Sequence, residues 1–399
     1  MLASPFAFYR GAAVVMAADL SGPANTGLLV QCCGDAHLAN FGGFAAPDRT
    51  MVFDINDFDE THPGPFEWDV KRLGASFEIA ARSRGFDAAM TQRIVRQMTR
   101  AYREAMTEFA GMRNLDVWYS RLNSDEILAR WRGKVSAAAA KRVEKNITKA
   151  ETRDSMRALT KLARPFEGEF RIASDPPFVV PLRELGLGAH TDEQEAMLHE
   201  RFAVYLRSLQ GDRRLLLDGF RIVDFARKVV GVGSVGTRCW IALLMGRDNN
   251  DPLFLQIKEA EASVLEPYGV KSAYTSHGRR VVEGQRLLQA AGDILLGWLR
   301  AEGLDGVTRD YYVRQLYDWK LSPQIDTMSV ELLTAYAELC GETLARGHAR
   351  SGDRIAIAAY LGSGDTFDRA VAGFSSAYAD QNDRDYAAAV TAFAVPAKR

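Results

Sequence analysis

The spacing of apolar residues changes several times along this chain, and each change marks an element. Gly27-Leu28-Leu29-Val30-Gln31 and Arg49-Thr50-Met51-Val52-Phe53 are short strand-like runs. Gly42, Gly43, Pro47 and Asp48 lie between them and predict a hairpin connection. After His62-Pro63-Gly64-Pro65 the period becomes helical, with Trp68, Leu73, Phe77 and Ile79-Ala80 suiting a buried helix. Residues 86–210 are expected to be largely helical. Met90, Ile94, Met98 and Tyr102 recur every four positions there, and Pro176-Pro177 with Phe178-Val179-Val180 breaks the pattern. From 216 to 268 the character changes again. Ile222-Val223 through Val229-Val230, then Trp240–Met245, then Leu253–Lys258 predict a three-strand meander, with Gly246–Asp251 as a polar turn. Helices are expected at 280–302 and 328–350, and a strand at Tyr311–Leu316.

Composition narrows the setting. A chain of 399 residues, 47% hydrophobic and 25% charged, has room for two domains or one large bilobal enzyme. A net charge of -1 gives no bias toward nucleic acid or a membrane surface, and neither partner is expected. No apolar stretch approaches the roughly 20 residues that span a bilayer. Ala12–Ala18 is apolar but short, and Asp19 interrupts it, so no signal peptide is visible. Cys32, Cys33, Cys239 and Cys340 have no zinc-ligand spacing and are too sparse for a disulfide framework, so a cytoplasmic setting is expected. The basic stretch 128–164 also holds Glu144, Glu151 and Asp154, which favours a solvated helical face.

The candidate chemistry lies in two places. Cys33-Gly34-Asp35-Ala36-His37-Leu38-Ala39-Asn40 is followed by a strand-like run ending in Asn56-Asp57-Phe58-Asp59. A hydroxyl attacking a phosphoryl group needs a carboxylate to accept its proton and oxygen ligands for Mg2+. Asp35 suits the base, and Asn40 and Asp57 suit the metal, with Asp54 as the competing ligand. His37 could contact substrate or brace the loop, and Asp69 could hold the loop through its backbone. Such a site also needs a phosphate-covering loop and a strand lysine. Gly231, Gly233, Ser234 and Gly236 lie between two strand-like runs, and Lys258 ends the next apolar run. Glu283 is the preferred partner for Lys258, with Glu261 and Glu266 as rivals.

These motifs resemble those of the aminoglycoside and choline kinase group, whose loop runs His-Gly-Asp-x-His-x-x-Asn and whose metal strand ends in Asp-Phe. The resemblance implies ATP- and Mg2+-dependent phosphoryl transfer to a small-molecule hydroxyl. Two departures stand out: Cys33 replaces the histidine, and the glycine and lysine motifs follow the catalytic ones instead of preceding them. A kinase-like fold would therefore be circularly permuted. Ser4-Pro5-Phe6-Ala7-Phe8-Tyr9-Arg10-Gly11, the Gly-Asp-Ala-His-Leu and Asn-Asp-Phe-Asp-Glu runs, Arg280–Arg286 and Tyr312–Lys320 together resemble a bacterial family of uncharacterised proteins, the domain of unknown function (DUF) 2252 family. Its members generally carry residues ahead of Ser-Pro-Phe-Ala-Phe, which implies a trimmed start here.

The expected fold is α+β and mainly helical: a bilobal, protein kinase-like, circularly permuted fold with a small antiparallel nucleotide-binding sheet. Residues 1–110 and 326–399 would form the helical lobe, 111–215 a helical elaboration, and 216–325 the ATP-binding lobe. Two other classes remain: a metal-dependent phosphohydrolase using Asp35, His37, Asp54, Asp57 and Asp59, and a nucleotide-binding pseudoenzyme with a regulatory role.

Overall fold

Ser4 accepts a hydrogen bond from the Ala7 N–H and Pro5 occupies the first turn, which starts helix α1 (Pro5–Gly11). Helix α2 (Ala13–Ser21) follows directly. The computed structural model describes residues 1–185, 192–229, 237–303, 305–316 and 319–393. It is a mixed structure, 52% helical, with several antiparallel sheets.

Four short strands come next: β1 (Leu29–Cys32), β2 (Phe41–Ala45), β3 (Met51–Ile55) and β4 (His62–Pro65). β1 pairs with β4, and β2 pairs with β3. Gly42 and Gly43, expected in a turn, lie inside β2. The reason is close packing: Gly43 pairs with Leu321, and a side chain on Gly42 would strike the Leu321 carbonyl.

Helices α3 (Phe66–Ser83) and α4 (Ala88–Gly111) carry the expected buried stripe, with Ile94, Met98 and Tyr102 all enclosed. Then come α5 (Asn114–Tyr119), strand β5 (Leu122–Asn123) beside β3, and helices α6 (Ser124–Trp131), α7 (Ala137–Glu151) and α8 (Ser155–Leu162). The largely helical stretch is also interrupted ahead of Pro176 by a hairpin that the spacing did not predict, β6 (Ala163–Phe166) with β7 (Glu169–Ile172), whose turn holds Glu167 and Gly168 at positive φ. β8 (Val179–Pro181), α9 (Asp192–Arg207) and α10 (Gly211–Leu217) lead into the main sheet.

That sheet is a meander, β9 (Arg221–Lys228), β10 (Cys239–Met245) and β11 (Pro252–Ala260), followed by helix α11 (His277–Leu288) and strands β12 (Gly297–Glu302) and β13 (Thr308–Gln315). Its six strands run in the order β12-β13-β11-β10-β9-β8, antiparallel throughout. Both faces are covered, so β10 reads as a continuous apolar run. Ile241 and Leu243 face Leu159 and Leu162, while Ala242 and Leu244 join Tyr205 and Leu209. The helix expected over 280–302 stops at Leu288, and its second half is β12. Asp293 caps a turn there by accepting from the Leu295 N–H at 2.8 Å.

Helices α12 (Val330–Ser351), α13 (Arg354–Leu361) and α14 (Thr366–Phe393) complete the core around α4. α14 returns to the start of the chain. Asn382 donates to the Pro5 carbonyl at 3.2 Å, and Tyr386 donates to the Leu2 carbonyl at 3.0 Å. No helix among the described residues is long and apolar enough to cross a membrane.

α12 packs backbone against backbone on α4 at Gly341, where a Cβ would collide with the Met98 carbonyl and meet the Tyr102 nitrogen at 3.1 Å. Gly341→Ala is expected to destabilise the fold by about 1–3 kcal/mol, read as a lower urea midpoint. An unchanged midpoint would show that the two helices separate freely.

Candidate functional site

The loop after β1 is built by α3. Asp69 accepts from the backbone N–H of Cys33 at 2.7 Å and of Gly34 at 3.1 Å, as the sequence suggested it could. Gly34 takes φ +81, and any side chain would strike the Glu60 carbonyl. Ser76 accepts from the Leu38 N–H, and Tyr336 donates to the Leu38 and Phe41 carbonyls. The loop is thus held by its backbone, which leaves the side chains of Asp35, His37 and Asn40 to line a cavity.

Asp35 is fixed by an arginine that sequence reasoning did not identify. The Nε and Nη2 of Arg72 both lie 2.6 Å from Asp35 Oδ1, and Nη2 also donates to the Tyr9 carbonyl. Burial opposes the charge of Arg72, but Asp35 outweighs it, so the guanidinium stays cationic. Oδ2 is the Asp35 oxygen outside this clamp, 3.7 Å from His37 Nε2. Burial pushes the His37 imidazole down to about 4 despite Asp35, so the ring is neutral. Asn40 donates its Nδ2 to the Asp35 carbonyl, which makes Oδ1 its acceptor end.

β3 delivers the second acidic stretch, and its aspartates have different surroundings. Asp59 accepts from Lys258 at 2.5 Å and from the Tyr312 hydroxyl at 2.6 Å. Asp57 stands 4.0 Å from the same ammonium and keeps 38% of its side chain exposed to the cavity. Burial would raise the Asp57 pKa, but Lys258 and then Arg314 outweigh it and hold the group below its ordinary value. Burial likewise opposes charge on Lys258, and Asp57 and Asp59 reverse that effect, keeping its pKa well above ordinary. Asp54 is elsewhere. It is buried and ion-paired to Arg346 at 2.5 Å, outside the cavity lining. The competing metal ligand is therefore corrected to a core ion pair. Asp54 is inside β3 and packs on α12, whereas Asp57 lies past the strand's end at Ile55, where the chain opens onto the cavity.

The cavity has a volume of about 1150 Å³ and gathers Asp35, Asn40, Asp57 and Lys258, together with Lys228, Arg314 and Lys320. Arg314 donates to Gln256 and to the Asn56 carbonyl. Lys320 is open to the cavity, yet the cleft walls and the neighbouring Arg314 pull its ammonium down to about 8. Gly231, Gly233, Ser234 and Gly236 lie outside the described residues, between β9 and β10. The flanking Lys228 and Val229 line the cavity.

Glu283 does not pair with Lys258. It sits 3.8 Å from Arg279 and 3.7 Å from Arg286 on its own helix. The inward face of α11 is carried by Arg280 and Gly284, one turn apart. Arg280 grips the carbonyls of Asp59, Thr61 and Glu261, and Gly284 packs on Thr61. Neither rival pairs with Lys258: Glu261 is exposed, and Glu266 accepts from the Ser272 N–H. Asp59 is the partner that was missed. The signal lay in β11 and β13, where Gln256 and Lys258 pair in register with Arg314 and Tyr312 and put polar groups on one face of otherwise apolar strands.

Asp57 and Asn40 Oδ1 could hold a divalent cation. Two protein oxygens suit Mg2+, which keeps waters and takes substrate phosphates. A carboxylate-rich centre does not form: Asp35, Asp54 and Asp59 each have a cationic partner, and no group of three His, Cys, Asp or Glu among the described residues is placed to hold a metal. A family model described as "Uncharacterized protein conserved in bacteria (DUF2252)" matches residues 1–392. No curated protein and no solved structure matches the chain.

Breaking the core pair by Asp54→Ala should cost about 3–5 kcal/mol in urea unfolding, because Arg346 is left buried and unpaired. Divalent-cation affinity of the folded variant should not change. Lost affinity in a stable variant would return Asp54 to the metal site.

Burial raises Glu60 from 4.5 to about 7, against the hydrogen bond from the Val264 N–H. The native state then keeps a proton that the unfolded chain has released between those values. The contribution is complete below the unfolded pKa and is lost as pH rises through the folded one. Glu60→Gln should flatten a decline of up to about 3 kcal/mol between pH 5 and 8, measured by urea unfolding across pH. Identical slopes would exclude Glu60 as the source.

Proposed function

The chain belongs to the DUF2252 family of uncharacterised bacterial proteins, and we propose that its cavity is the active site of an ATP- and Mg2+-dependent phosphotransferase acting on a small-molecule hydroxyl. One observation carries the reading: Asp35, Asn40 and Asp57 from the start of the chain line the same cavity as Lys258, which is 199 residues from its partner Asp59.

The roles follow from position. Asp35 is anchored through Oδ1, so Oδ2 is the atom to orient an acceptor hydroxyl and take its proton. Asp57 and Asn40 would hold Mg2+, which supplies neutralisation of phosphate charge. Lys258, Arg314 and Lys320 present cations to the phosphates, and Val229 and Leu316 offer apolar wall to a base.

A kinase-like and permuted fold is supported by the same arrangement. The glycine run joins the first two strands of the meander, the lysine is on the third, and a helix follows, as in protein kinases. Permutation leaves formerly consecutive elements in contact, and α14 lies against α1. Asp59 takes the place that a helix glutamate has in that group. A metal-dependent phosphohydrolase has less support, because its carboxylates are dispersed among Arg72, Arg346 and Lys258.

The test is ATP binding and turnover with and without Mg2+. Asp57→Ala should remove the metal dependence of binding, and Lys258→Ala should weaken ATP by about tenfold or more. Asp35→Asn should bind ATP within about twofold of wild type and lose about 100-fold or more in turnover. Wild-type behaviour in all three removes the site. Tight binding without turnover, indifferent to Asp35→Asn, assigns a nucleotide-binding regulatory module instead.

A further inference from the structure

We propose that the hydroxyl acceptor carries an acidic group, a carboxylate or a phosphate, which seats on Arg10 beside Asp35. The assignment of an acceptor rests on the phosphotransferase reading above; the anion subsite itself rests on geometry alone.

Arg10 is in the last turn of α1 and lines the cavity with Asp35 and His37. Its Nε is buried and has no hydrogen-bond partner. No carboxylate among the described residues pairs with it, and its recorded contact is the Phe6 ring, 5.9 Å from the guanidinium carbon. Of the other cations lining the cavity, Lys258 is engaged with Asp59, and Arg314 with Gln256 and the Asn56 carbonyl, while Lys228 and Lys320 are the ones left to the nucleotide phosphates in the reading above. Arg72, behind Asp35, is engaged with that carboxylate and with Tyr9.

The place of Arg10 in the fold does not account for this. A cation in a last helical turn and a distant ring contact each return little, and a buried guanidinium N–H without an acceptor costs more than either. His37 adds a second vacant group, because its buried Nδ1 also lacks a partner. Its ring is neutral and close enough to Arg72 and then Arg10 to feel both charges, and of these two Arg10 is the one not engaged with Asp35. An anion in the cavity would meet the terminal nitrogens of Arg10, which have no partner among the described residues and, unlike Nε, are not enclosed, while a neighbouring hydroxyl faces Asp35.

This argues against the cationic acceptors of the aminoglycoside and choline kinase group, because an ammonium would meet Arg10 with like charge. Asp326 also lines the cavity, but it is exposed and solvated, so it needs no cation from a ligand. A hydroxy acid or a phosphorylated polyol fits the pair of groups. A neutral polyol leaves Arg10 unmatched.

The experiment is calorimetric titration of the full chain, saturated with Mg2+ and a non-hydrolysable ATP analogue, with glycerol 3-phosphate, glycerate and glycerol. At least one acid should bind about tenfold more tightly than glycerol, the gain expected of a charge-assisted pair. The tighter of the two acids distinguishes a phosphate from a carboxylate source. Arg10→Gln should erase the preference and Arg10→Lys should keep part of it, with analogue affinity within about twofold in both. Equal binding of all three probes, or a preference retained in Arg10→Gln, overturns the proposal. The same titration of nucleotide-free wild type and Arg10→Gln separates the two readings. An acid preference that needs Arg10, in a wild-type chain that never binds the analogue, upholds the anion subsite and sinks the phosphotransferase.

Discussion

The ion pair between Lys258 and Asp59 is the constraint on which the rest of this structure depends. Lys258 projects from the middle of the six-stranded sheet with 4% of its side chain exposed. An ammonium so enclosed is tolerable only beside a carboxylate, and the carboxylate comes from the far end of the chain. Asp59 accepts from Tyr312 with its other oxygen, so both lone-pair directions are used within the sheet. Arg280 and Arg314 then hold the carbonyls of Asn56, Asp59 and Thr61. Residues 56–61 are therefore clamped from the sheet and from α11. A buried pair of this kind is weak evidence for stability, because desolvation consumes much of its Coulomb energy. What it fixes is geometry.

That clamp divides the labour among the acids. Asp59 is saturated by its donors and acts as the anchor. Asp57, two residues earlier, stays part-exposed and anionic beside Lys258 and Arg314. Asp35 is held in the same manner from the other side, with Arg72 on one oxygen and the second oxygen outside the clamp. In each case a cation braces an acid without enclosing it. The cavity wall concentrates charge of both signs, with Arg10, Lys228, Lys258, Arg314 and Lys320 beside Asp35, Asp57, Asp293 and Asp326, which the whole-chain net charge of -1 does not show. Whole-chain charge reports on steering and solubility, and it averages out a cleft of this size.

The sequence was most legible where local geometry decides structure. The meander, the buried α4 stripe and the Asp35 loop follow from period, turn residues and Gly34, whose positive φ excludes a side chain. It was least legible where a distant partner decides. Gly42 and Gly43 look like a turn, yet they give room for Leu321 to pass beside β2. Helical spacing over 280–302 hides a strand, because Gly297 and its neighbours are shaped by Tyr205 and Ser208. Glu283 was chosen by analogy with a helix glutamate, while the working partner was Asp59, inside a motif already singled out. Arg72 and Arg10 carried no local signal. Arg72 is recognised only by its hydrogen bonds to Asp35, and Arg10 only by its place in the same cavity lining, which the packing of α1 on α3 brings about.

Chain order is the remaining constraint, and physically it is a weak one. The site is assembled by contacts between groups hundreds of residues apart: Gln31 with Ser351, Tyr336 with Leu38, Gln289 with Ile55. Closing such loops costs entropy that rises only slowly with length, so the energetics of the finished site are nearly blind to which half comes first. The α1–α14 contact places the beginning and end of the helical half side by side, where a cut or a join disturbs little packing. The sheet half is different. Its strands β9 to β13 are continuous in sequence and pair with near neighbours, so it keeps its own internal order wherever it is attached. A site built across these two halves is specified by the Lys258–Asp59 junction and not by the direction in which the polypeptide visits it.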